Sequence, residues 1–211
     1  MRHSVTTAFA ATLVAVALGI PARASAGTTE LFQFTDAFAQ AFFLTSDATG
    51  CVETVVFLSA GTDVNHNPPS RRVNTSGAFI SISQFDNCTF SFSGGSGFVE
   101  GVVFSTNPQV KTASLSATIP VMFSAFPGPG LGTVNVAVTL TWKGGDLSRE
   151  IRTVHLFLPG SVRMINSTFT GNDRDATATG AVIVNGTNLT PDPSAFGRIG
   201  FEGGHEVRVN R

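Results

Sequence analysis

Oxygen-bearing side chains alternate in Asp63-Val64-Asn65-His66-Asn67. A hard cation collects several oxygens from a tight turn, and Asp63, Asn65 and Asn67 resemble the first half of a calcium loop. The resemblance stops at Pro68, which stands where such a loop needs glycine, and at Asn74, which replaces the bidentate glutamate. Calcium is the cofactor this string suggests; no other is indicated. A second chemistry is that of paired carboxylates. Glu53 and Glu100 fall in strand-like runs, Glu53 among apolar neighbours. Two facing acids 5–10 Å apart would make a glycosidase, but an acid in an apolar run also asks for a cationic partner, such as Arg152 or Arg163. His155 sits in Ile151-Arg152-Thr153-Val154-His155-Leu156-Phe157 and reads as a partly covered strand residue. His205, between Glu202 and Glu206, reads as a solvated one.

Other catalytic signatures are missing. Gly94-Gly95-Ser96-Gly97 is followed by Phe98 and does not make a nucleophile elbow. There is no His-Glu-x-x-His, Cys-x-x-Cys, phosphate-binding loop or dinucleotide fingerprint. These absences argue against protease, esterase, nucleotide and redox chemistry. The formal net charge is −1 with no basic stripe, which argues against nucleic acid as a partner.

The elements that position these residues begin after a leader. Arg2 and His3, an apolar run over residues 8–20 and Ala24-Ser25-Ala26 have the build of a cleaved secretory signal. Residues 1–26 are therefore expected to be removed and residues 27–211 to form one domain, secreted or periplasmic, with no membrane span left after cleavage. The chain has two cysteines, Cys51 and Cys88. In an exported protein they are expected to pair and to fix the core through a bridge.

Strand signals dominate the rest. Residues 111–119 alternate Lys, Ala, Leu, Ala, Ile against Thr and Ser. Residues 133–142 alternate Val134, Val136, Val138, Leu140 and Trp142 against polar and small residues. About ten such runs follow one another with Gly, Pro and Asn between them and no strand–helix alternation. Turns are expected at Gly94-Gly95-Ser96-Gly97, Pro127-Gly128-Pro129-Gly130, Gly144-Gly145-Asp146 and Pro191-Asp192-Pro193. The fold class expected is an all-β, antiparallel sandwich of Greek-key or jelly-roll kind, with a closed barrel as the other solution. Residues 61–77 read as a long polar loop, and Arg71 and Arg72 on it as polar anchors for a ligand. The function expected is a non-catalytic binding or structural role towards an extracellular or envelope ligand. The alternative is a secreted polysaccharide hydrolase using paired acids.

Overall fold

The computed structural model describes residues 29–67, 71–126, 132–158, 163–190 and 195–210. The expected leader over residues 1–26 and the turns expected at 127–130 and 191–193 lie outside these residues. The elements are β1 (Thr29–Ser46), β2 (Val52–Asn67), β3 (Arg71–Asp86), β4 (Ser91–Glu100), β5 (Val103–Thr106), β6 (Thr112–Phe126), β7 (Gly132–Leu158), β8 (Arg163–Val184), β9 (Thr187–Asn188) and β10 (Ala195–Asn210). All ten belong to one antiparallel sheet.

That sheet closes on itself. Successive long strands pair in the order β1-β2-β3-β4-β6-β7-β8, and β10 then pairs with β8 along one edge and with β1 along the other. The expected arrangement of two facing sheets is thus replaced by an up-and-down ring of eight long strands, with β5 appended to β6 and β9 to β8. Closure satisfies the edge strands that a sandwich would leave unpaired.

A ring of eight strands encloses a space that side chains fill. Alternate residues point into it: Ala39, Ala41 and Phe43 from β1, Val56 and Leu58 from β2, Ile80 and Ile82 from β3, Leu115 and Ile119 from β6, and Ile199 from β10, all buried. Each fully buried aliphatic side chain of this size contributes about 1.5–3 kcal/mol. Trp142 of β7 is fully buried, and its indole N–H donates to the Gln40 carbonyl of β1 at 2.7 Å, across the interior.

Several expected turns are strand. Gly94 to Gly97 lie mid-strand in β4, where the backbone runs against β6: a Cβ on Gly95 would sit 2.6 Å from the Met122 carbonyl oxygen, and one on Gly97 2.1 Å from that of Pro120. Glycine is present here for close approach rather than for turning. Gly144-Gly145-Asp146 is a bulge within the single strand β7, since Gly144 pairs with Ala176 and Leu147 with Arg174. The polar loop expected over 61–77 is largely a hairpin, paired from Gly61↔Gly77 to Asn67↔Arg71.

The disulfide joins Cys51 and Cys88, with Cα atoms 5.4 Å apart. It lies at the rim, not in the core as expected, because Cys51 comes just before β2 and Cys88 sits in the turn just after β3. Two aspartates organise those turns. Asp47 accepts from the Thr49 hydroxyl at 2.7 Å and from the Val52 N–H at 3.1 Å. Asp86 accepts from the N–H groups of Cys88 and Thr89 at 2.8 and 2.9 Å. A disulfide is consistent with an oxidising compartment.

Candidate functional site

The outward faces of β1 to β4 form the candidate site, and the strand register dictates its composition. One row across the sheet reads Glu202, Asp36, Asp63, Thr75. The next reads Gly200, Phe38, Gly61, Gly77, Glu100, and the third Arg198, Gln40, Ser59, Phe79, Phe98. Gly61 and Gly77 lack side chains where the rows would otherwise be filled, and a groove of about 410 Å³ results. Asp36, Asp63 and Glu100 line it together with Phe38, Phe79 and Phe98. The aromatic side continues outside the groove through Phe57, whose ring centroid is 6.4 Å from that of Phe79, and through exposed Phe42 and Phe196.

Phenylalanine rings cover glycine backbone on this face. A Cβ on Gly200 would collide with the Phe38 ring, and one on Gly77 would lie 2.9 Å from the Phe98 ring. Bulky aromatics thus remain on the outside of the barrel because they shield the backbone of a neighbouring strand.

The groove is negative. Burial, followed by the charges of Asp63 and Glu202, raises the Asp36 carboxyl above its ordinary range, while a hydrogen bond from the Ala37 N–H opposes this. Among the described residues the salt bridges are Arg198–Asp173 and Arg208–Glu206, neither of which includes a groove carboxylate. Arg198 donates from Nε to Asp173 at 2.6 Å, and its guanidinium carbon lies 5.8 Å from the Phe38 ring centroid.

The residues expected from sequence are distributed differently. Glu100 lies in the groove, but Glu53 pairs with Phe85 and Ser46, eight residues along β2 from Gly61. Eight residues of strand span roughly 26 Å, so Glu53 and Glu100 are not brought together. Asp63 and Asn65 share the outer face of an extended strand, and the Asn65 amide donates to Asp63 at 2.8 Å. An extended chain does not wrap a cation as a loop does. Among the described residues, no group of three or more His, Cys, Asp and Glu is arranged to hold a metal. Arg72 pairs with His66 on the opposite face, away from the groove, and Arg71 begins β3 opposite Asn67. His155 Nδ1 lies 2.7 Å from Asn166 Oδ1, and His205 pairs with Gln33 and Thr168; both are exposed.

Sequence reasoning missed Asp36, Phe38, Phe79 and Phe98. The available signal was Phe34, Asp36 and Phe38 at period two, an acid within an aromatic stripe. Its meaning depends on register, which places Asp63 and Glu202 on either side. No family model, curated protein or solved structure matches the chain.

Proposed function

We propose that the protein is an exported, non-catalytic β-barrel that binds a ligand bearing positive charge on an apolar body. The observation carrying this reading is a single groove that sets Asp36, Asp63 and Glu100 against Phe38, Phe79 and Phe98. An ammonium or guanidinium group relieves the mutual repulsion of the carboxylates, and aromatic faces attract the same cation by about 0.5–2 kcal/mol. The apolar body meets the rings. The leader-like first 26 residues and the Cys51–Cys88 bridge support export to an extracellular or envelope location.

The test is calorimetry with two short peptides of equal apolar content, one carrying Arg and Lys, the other Asp and Glu. The basic peptide should bind, more weakly as salt rises. Asp36→Asn with Asp63→Asn should lower its affinity at least about tenfold, the scale of one charge-assisted contact. Equal binding of both peptides, or indifference to the double substitution, would refute the proposal.

A second reading, a polysaccharide hydrolase, draws on one observation: Asp36, with its raised carboxyl, pairs directly with Asp63. Two carboxylates held side by side across neighbouring strands are the kind of pair such enzymes use. Reducing-sugar release that Asp36→Asn abolishes would favour it over simple binding.

A further inference from the structure

Beyond the bulge, residues 147–158 of β7 leave the ring. They pair with β8 on one side, whereas β6 pairs with β7 only from Gly132 to Lys143. No described strand pairs with the other edge. This edge also exposes apolar side chains among its charged ones: Leu147, Ile151 and Phe157 are 50%, 62% and 61% exposed. A long exposed edge with such residues is a template for another strand.

We propose that this edge is a self-association surface, and that a second copy of the chain pairs with it antiparallel about a two-fold axis at Ile151. The register follows from symmetry. In an antiparallel pair, opposing residues direct their backbone groups the same way, so two identical strands align only with the axis on a residue. An axis at Arg149, Glu150 or Arg152 sets like charges opposite each other. One at Thr153 sets Glu150 against Leu156 and Arg149 against Phe157, and one at Val154 sets Arg152 against Leu156. An axis at Ile151 sets Ile151 against its copy and Glu150 against Arg152 twice, with Arg149 facing Thr153 and Ser148 facing Val154. Glu150 and Arg152 lie on the same face of the strand, and the salt bridges among the described residues leave both out. The pairing adds about eight backbone hydrogen bonds. It also sends the two barrels to opposite ends of the shared sheet.

Sedimentation velocity over a concentration series on the purified protein tests this. The wild type should show a reversible dimer. Ile151→Lys should weaken it by about tenfold or more, since it opposes two ammonium groups at the axis. Glu150→Arg and Arg152→Glu should each weaken it by a similar factor, and the double exchange should restore it, with circular dichroism unchanged throughout. The restoration separates a specific pairing from a general loss of structure. A wild type that stays monomeric into the millimolar range would overturn the proposal. So would a dimer indifferent to Ile151→Lys, or single exchanges that the double exchange does not rescue.

Discussion

Replacing Trp142 with phenylalanine tests the closed interior directly. The indole extends from β7 to the Gln40 carbonyl on β1, which lies beyond β8 and β10 by the shorter way around the ring. Its ring also lies close to β10, where a Cβ on Gly197 would come within 3.1 Å of it. Phenylalanine keeps most of the apolar contact but removes the buried hydrogen bond to the Gln40 carbonyl. The net loss of such a bond costs about 0.5–1.5 kcal/mol, and the lost ring volume adds about 1 kcal/mol. A total of about 1.5–2.5 kcal/mol lowers the melting temperature by about 3–10 °C in a chain of this size. Thermal unfolding followed by circular dichroism, which needs no tryptophan, measures it. Native fluorescence supplies the control. Trp142 is the sole tryptophan and is fully buried, so its emission should be blue-shifted and resistant to iodide. A red-shifted, quenchable native spectrum, or a Trp142→Phe variant as stable as the wild type, would refute the ring closed around this side chain.

Two further outcomes follow from the rim and the groove. Cys51→Ser with Cys88→Ser should cost about 4 kcal/mol in denaturant unfolding, the chain-entropy value for a separation of 37 residues, and reduction should add two daltons per chain by mass spectrometry. Asp36 has a folded-state pKa above its unfolded one, so its ionisation opposes folding at neutral pH, and that penalty fades as pH falls through the raised value. Asp36→Asn should therefore stabilise the protein at pH 7 and lose that advantage in acid; a variant less stable at pH 7 would contradict the reading.

The strands were legible where one face is buried and the other solvated, as in residues 112–119 and 133–142, because alternation reports burial directly. The ring was not, since a sandwich and a barrel impose the same alternation. The deciding strand, β10, hides it: Gly197, Gly200, Gly203 and Gly204 look like loop, yet a Cβ on Gly197, Gly200 or Gly204 would meet neighbouring atoms closer than 3.0 Å. Glycine reads as a turn residue in sequence and as a contact residue here. The groove was half visible. Asp63 and Glu100 were singled out, but for a calcium loop and for a partnership with Glu53. Only cross-strand register shows that their neighbours are Asp36 and the phenylalanines. Arg71 and Arg72 read as loop anchors because the polar run 61–77 lacks the apolar alternation of a strand inside the ring; it pairs as a projecting hairpin instead.

A strand's two faces are assigned by counting, odd against even, and β7 changes its count midway. Gly145 and Asp146 together oppose one residue of β8, so the face that carries Val136, Val138, Leu140 and Trp142 inside the ring is continued beyond it by Leu147, Arg149 and Ile151. Removing one residue there would restore an unbroken tally and exchange the faces of everything downstream to Leu158. Glu150 and Arg152 would then turn to the side now held by Ile151, so the spare residue acts as a phase marker that protects the character of both surfaces at once.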